Sequence, residues 1–281
     1  MPQPRRARAA RLATVVRSEQ LSASLVRVVL GGDGLADFEP SEFADSYVKL
    51  VFLDPSVPRP LPRDERGRVV VDGLSDEPVR MRSYTVRSFD ETTRELVLDF
   101  VVHGDAGLAG PWAAAAGPGD EALLLGPGGG YAPDPSASYH LLAGDLSALP
   151  AIAVALERLP ESAVGAAYVE VPGPADEVPL DAPAGVPVTW LHTGDRRPGD
   201  RLVSAVLDLP WPGGDVQAFV HGEAGAVREM RRHLRIGHGM TLDRLSVSGY
   251  WRLGVDDEGW RAGKREWNAA VEQDEAVAGV R

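Results

Sequence analysis

Short apolar runs recur through the first half of the chain. Residues 25–30 (LVRVVL), 47–52 (YVKLVF), 83–87 (SYTVR) and 96–102 (LVLDFVV) are rich in β-branched and aromatic side chains, the composition of strands. Gly/Asp/Pro segments such as GGDGL and FLDPSVPRPLPRDERG separate them and read as turns and loops. Strands this short, at this spacing, predict a small antiparallel barrel of about six strands. The Gly/Pro/Ser-rich stretch 126–138 (GPGGGYAPDPSAS) then reads as a linker, which divides the chain into 1–130 and 131–281. Beyond it the rhythm changes. Residues 139–143, 166–171, 188–192 and 217–221 read as strands. Residues 148–159, 224–235 (with a basic face) and 258 to about 276 have the i, i+3, i+4 recurrence of helices. Strands alternating with helices predict a parallel sheet covered on both faces.

Composition narrows the chemistry. The 281 residues carry a formal charge of −12, so a polyanion is repelled by the averaged field and no nucleic-acid partner is expected. With no cysteine, disulfides, thiolate zinc sites and Cys-ligated clusters are excluded. The six histidines show no metal-binding spacing, so no metal site is expected. No apolar stretch is long enough to span a bilayer. The basic N-terminal segment lacks the apolar core of a secretory signal; it reads as an arm or as the lead-in to a first strand. The expectation is a cytoplasmic protein with no membrane partner.

Four segments carry candidate chemistry. On a predicted strand, alternation puts Arg82 and Tyr84 on one face and Ser83 and Thr85 on the other. An arginine pairs with phosphate and a tyrosine ring lies against a flat heterocycle; an ordinary exposed strand is the plainer reading. Next comes the loop 103–113, HGDAGLAGPWA, with a short helix expected near Pro111. Its free N–H groups suit a pyrophosphate, although a Gly-rich loop capped by a core Trp reads equally well. The turn Gly144-Asp145-Leu146-Ser147 joins the first strand and helix of the second half, where nucleotides bind; alternatively, Ser147 simply caps the helix. Last is SGYWRLG, at 248–254, followed by Trp260, Lys264 and Trp267 at helical spacing. Such an aromatic stripe is more often core than cofactor site, and its lysine can snorkel.

In this order, RSYTVR, DFVVHG with GPWA, GDLSALPAI and SGYWRLG with a downstream lysine resemble the siderophore-interacting protein family, relatives of the ferredoxin–NADP reductases. The resemblance runs from about Thr14 to Trp267. It implies an FAD-binding barrel followed by a nicotinamide-binding α/β domain with a C-terminal helix. The strand segment Arg82, Ser83, Tyr84 and Thr85 would meet the flavin and its phosphate. His103, Gly104, Leu108, Ala109, Gly110, Trp112 and Ala113 would wrap the pyrophosphate. Gly144, Asp145 and Ser147 would meet NADH or NADPH, and Lys49, Arg252 and Lys264 would form a basic pocket for an anionic ferric siderophore. The activity implied is an FAD-dependent ferric-siderophore reductase, passing electrons from NAD(P)H through FAD to Fe(III) and releasing Fe(II). No protein group is then needed as a catalyst, since the flavin carries the chemistry. The family turn reads G-D-E-T-A-L-P-A-I; Leu146 here removes its carboxylate and leaves the choice of nicotinamide open, with Arg196 and Arg197 either reaching a 2′-phosphate or forming a solvated turn. The alternatives are a general flavin reductase, an electron carrier fed by ferredoxin, or a ferric-siderophore binding protein without turnover.

Overall fold

The computed structural model describes residues 7–105 and 107–280; residues 1–6 of the basic N-terminal segment, Ala106 of the glycine-rich loop, and Arg281 lie outside the described residues. The chain divides into two units, Met1–Gly129 and Gly130–Arg281.

In the first unit, β1 (Ala9–Ser22), β2 (Leu25–Gly31), β3 (Tyr47–Phe52), β5 (Arg80–Asp90), β6 (Glu95–Val101) and β7 (Glu121–Gly128) form an antiparallel barrel, with the two-residue β4 (Val69–Val70) added on β1. The strands run in the order β2-β6-β5-β3-β7-β1, and pairing of β1 with β2 closes the ring. Val28, Leu30, Val48, Leu50, Leu96, Leu98, Phe100 and Leu124 fill the interior. Val51, Met81 and Leu123 belong to a second cluster with Val57, Leu61 and Val71 from the long loop. Val51 of β3 and Leu123 of β7 are thereby buried on the outer side, which leaves consecutive apolar residues in both strands. The helix expected near Pro111 is α1 (Ala109–Ala115) and starts two residues earlier. Pro111 still sits in the first turn, where a missing N–H costs nothing.

One alternative is decided here and one expectation corrected. The described part of the basic N-terminal segment is the lead-in to a first strand, 14 residues long, whose inward positions are held by the small Ala10 and Ala13 and by Val15. The linker read over 126–138 is shorter, because β7 continues to Gly128.

The second unit is a five-stranded parallel sheet of β8 (Tyr139–Asp145), β9 (Gly165–Val171), β10 (Val188–His192), β11 (Val216–Glu223) and β12 (Leu245–Trp251). Its order is β10-β9-β8-β11-β12. The chain moves outward from β8 to β10, then returns to the other side of β8 with β11, so the order reverses between β8 and β11. α3 (Asp200–Leu207), α4 (Ala224–Arg232) and α5 (Asp257–Val277) pack on the face bearing Leu141, Ala143, Ala218 and Val220. α2 (Leu149–Arg158) lies against β8 near Gly144.

The helix expected over 224–235 stops at Arg232 and passes into a π-helical turn, His233–Gly237, which turns Leu234 and Arg235 inward. Its basic face is covered: Arg228 pairs with Asp274 at 2.7 Å and Arg231 with Glu275 at 2.5 Å, both on α5.

Candidate functional site

In the barrel, β3 and β5 set Lys49 directly opposite Ser83, and Tyr84 opposite Val48. Tyr84 is half-buried, its ring against Phe100 with centroids 4.1 Å apart. Phe100 in turn meets Trp112 of α1 at 5.5 Å, and Trp112 meets Phe52 at 6.4 Å. Phe100, a core residue of β6, thus ties the RSYT strand to the glycine-rich loop; nothing in its local sequence marks that role. Arg82 is half-buried and donates to the Met81 carbonyl at 3.1 Å. Ser83 is exposed, whereas Thr85 is buried.

His103 and Gly104 are exposed, and Leu108 and Gly110 half-buried. Ala109 and Ala113 turn into the barrel core, so any contact they make with a ligand is through backbone. The start of α1 has no side-chain cap, which leaves its first N–H groups suited to an anion. An aromatic ring linked through Phe100 to the helix that starts uncapped, with the Arg82 cation on the same strand as that ring, fits the flat ring and phosphate of a flavin nucleotide.

In the second unit, the Asp145 carboxylate ends β8 as a node. Its Oδ1 accepts from the Ser147 N–H at 2.9 Å and from the Ser147 hydroxyl. Its Oδ2 accepts from the Glu223 N–H at 2.8 Å and the Trp251 indole N–H at 2.7 Å. Burial pushes the Asp145 carboxyl up, against the pull of these donors. Gly222 is what lets Trp251 reach across β11: its φ is +141°, and a Cβ there would lie 2.5 Å from Asp145 Oδ2. Gly144 is equally constrained, since a Cβ would lie 2.6 Å from that of Ala148. The turn segment and the SGYW segment, about 100 residues apart, are thereby joined by one hydrogen bond.

Ser147 does not cap α2. The N-cap is Ala148, with no side-chain bond, because the Ser147 hydroxyl is already turned back to Asp145. Leu146 is buried. Glu223 caps α4 instead, accepting from Ala226 N at 2.9 Å with one oxygen and from Leu253 N at 3.1 Å with the other. Glu223 and Gly222 were missed in the sequence; the signal available was a Gly-Glu pair between an apolar strand and a helix.

The expected substrate cations lie in different settings. Lys49 belongs to the barrel, half-buried, its ammonium 5.9 Å from the Tyr47 ring centroid. Arg252 is exposed just after β12. Lys264 is held at the sheet edge, donating to the Gly249 carbonyl at 2.9 Å and the Ser248 hydroxyl at 3.1 Å, and burial pulls its pKa down. Trp260 and Trp267, on the same face of α5, pack in the core, as the plainer reading of that stripe had it.

Comparison with known proteins decides the family. Residues 14–131 match the siderophore-interacting FAD-binding domain, and residues 137–254 match the siderophore-interacting protein domain. This chain belongs to the siderophore-interacting protein family. An uncharacterised protein of Mycobacterium tuberculosis is 46% identical, over 90% of this chain and 93% of its own. The ferric vibriobactin reductase ViuB of Vibrio cholerae is 35% identical over 89% and 92%. The NADPH-dependent ferric-chelate reductase of Escherichia coli is 31% identical over 85% and 91%. Among solved structures, a siderophore utilization protein from T. fusca superposes with a TM-score of 0.77 at 39% identity, covering 90% of this chain and 98% of that one. The fold extends to the FAD/NAD-binding domain of a Vibrio cholerae nitric oxide dioxygenase, with a TM-score of 0.61 at 15% identity over 87% of this chain and 100% of that one. This siderophore-interacting protein therefore has the six-stranded barrel and parallel sheet of the FAD- and nicotinamide-binding oxidoreductases. No helix among the described residues is long and apolar enough to cross a membrane.

Proposed function

We propose that this protein is an FAD-dependent ferric-siderophore reductase supplied by NADH or NADPH. The observation that carries the reading is the Asp145 node at the point where the strand order of the second sheet reverses, in a chain whose barrel matches an FAD-binding domain. Parallel sheets bind nucleotides at the carboxyl ends of their strands at such a point. The ferric reductases among its relatives supply the substrate class.

When bound, FAD would supply the conversion of a two-electron nicotinamide donor into single electrons for Fe(III). The chain's own residues bind and orient. Arg82 would supply the cation beside the flavin phosphate, Tyr84 would lie against the ring with the Thr85 backbone next to it, and the α1 start with loop 103–113 would take the pyrophosphate. Gly144 brings backbone close to the nicotinamide nucleotide, while Asp145 and Ser147 hold the turn's shape. Lys49 in the first unit and Arg252 in the second each present a cation that would attract an anionic chelate despite the acidic total charge, and Lys264 anchors the strand that precedes Arg252. Hard oxygen ligands hold Fe(III) better than Fe(II), so reduction loosens the metal without breaking the chelator.

The test is an anaerobic absorbance titration of purified protein with NADH, NADPH and then a ferric catecholate siderophore. Flavin bands that bleach with a nicotinamide and return with the chelate are expected. A flavin that stays oxidised with both nicotinamides but bleaches with reduced ferredoxin would replace the donor; a protein that cannot be loaded with FAD would overturn the reading. Arg82→Ala should weaken FAD retention roughly ten- to hundredfold, the worth of a charge-assisted hydrogen bond, read as the flavin-to-protein absorbance ratio after gel filtration.

A further inference from the structure

His221 lies two residues before the end of β11 at the reversal point, paired in register with Gly144 of β8 on one side and Ser248 of β12 on the other. It is 4% exposed. Its imidazole stacks on Phe219 at 3.8 Å and meets the Tyr250 ring edge-on at 4.9 Å. Nε2 is engaged with the Ser246 hydroxyl at 2.9 Å. Nδ1 is buried and has no hydrogen-bond partner. An orphaned polar atom in so buried a position is destabilising, and this one lies near the strand end where a nucleotide is expected.

The two faces of the sheet differ there. Ala218 and Val220 face α3 and α4. On that side the loop carrying Arg196 and Arg197 runs into α3, and Arg197 approaches Gly225 at the start of α4, its guanidinium 3.4 Å from where a Cβ would stand. By strand alternation Phe219 and His221 face the other way. A dinucleotide laid across this edge has cations for its adenosine phosphates on one face and a polar-tipped aromatic group on the other.

Resting on the donor reading above, we propose that His221 is a positioning residue for the nicotinamide ring, its Nδ1 bonding the carboxamide. The carboxamide carries both a donor and an acceptor, so it satisfies Nδ1 in either imidazole tautomer. Burial, with Lys264 adding to it, pushes the His221 pKa down to about 3. The ring is therefore neutral in use: it orients the nicotinamide and exchanges no proton with it.

The test uses the FAD-loaded protein and redox-inert probes: the tetrahydro analogues of NADH and NADPH, and the matching ADP-ribose and 2′-phospho-ADP-ribose, which lack the ring. His221→Phe keeps the stacking and removes both nitrogens; His221→Asn keeps a hydrogen-bonding tip. In the parent protein the ring-bearing probe should bind more tightly than its ring-less partner. His221→Phe should weaken the ring-bearing probe roughly 5- to 30-fold, the worth of one hydrogen bond of about 1–2 kcal/mol, and leave the ring-less probe within about twofold. His221→Asn should recover part of the loss. Equal weakening of both probes, or of neither, overturns the role of His221 while leaving the donor reading intact. If no probe of either kind binds the parent protein, the nicotinamide reading itself falls. An unchanged flavin content in both variants shows that the fold has survived the substitution.

Discussion

Asp145 shows how much one side chain organises. Its two oxygens accept four bonds, from the turn that follows it, from the end of β11 and from the end of β12. A buried carboxylate is tolerable only when its lone pairs are filled, and here the donors are also the backbone and side chains that shape the carboxyl edge. Gly222 is the permissive partner. Gly222→Ala would place a methyl group against Asp145 at a φ that L residues rarely adopt. It should destabilise the protein by about 2–4 kcal/mol, strain and disturbed hydrogen bonds together, seen as a lower urea midpoint. A midpoint equal to that of the parent would mean that the node is not rigid.

Between elements, the docking of α5 rests on charge as well as on tryptophan. Arg235, 1% exposed, emerges from the π-helical turn to lie 3.5 Å from Glu275, which also binds Arg231. Burial alone would raise the Glu275 pKa; the two guanidiniums outweigh it and hold the carboxyl below its ordinary value. Removing one partner of a buried pair leaves the other uncompensated. Glu275→Ala should therefore cost about 3–5 kcal/mol and speed hydrogen exchange in α5. Loss of stability without faster exchange in α5 would place the cost elsewhere. α3 makes the same point about distant partners. Its start is capped by Glu170 of β9, which accepts from Gly199 N and Leu202 N at 2.9 Å each and from the Thr193 hydroxyl at 2.8 Å. A cap supplied from about 30 residues away leaves no local signature, and α3 was not read in the sequence.

For the whole molecule, pH should act through buried histidine. The folded-state pKa of His221 is about 3 against an ordinary 6.5, chiefly through burial. The unfolded chain binds a proton that the folded chain refuses, so this contribution to stability is intact above pH 6.5 and is lost as pH falls towards 3. Its slope is at most about 1.4 kcal/mol per pH unit. Burial shifts His140 and His233 in the same direction. Urea unfolding at pH 7, 6 and 5 should show falling stability, with a shallower fall in His221→Phe; equal slopes in the two proteins would refute the assignment.

The sequence by itself determined the kind of molecule: β-rich then alternating, with four segments that name a family. Those features are local, carried by side-chain period and by short contiguous motifs. β3 and β12 differ in this respect. β3 was legible from its β-branched and aromatic run, while β12 was read only as a motif, its polar Ser246, Ser248 and Tyr250 masking a strand. Only the tertiary structure decided what the motif residues touch. Trp251 meets Asp145 because Gly222 leaves room, Lys264 spends its ammonium on the β12 edge, and His221 is buried with one nitrogen unsatisfied. Each depends on strand order and register, which bring together residues tens to a hundred positions apart, and no local pattern encodes that pairing.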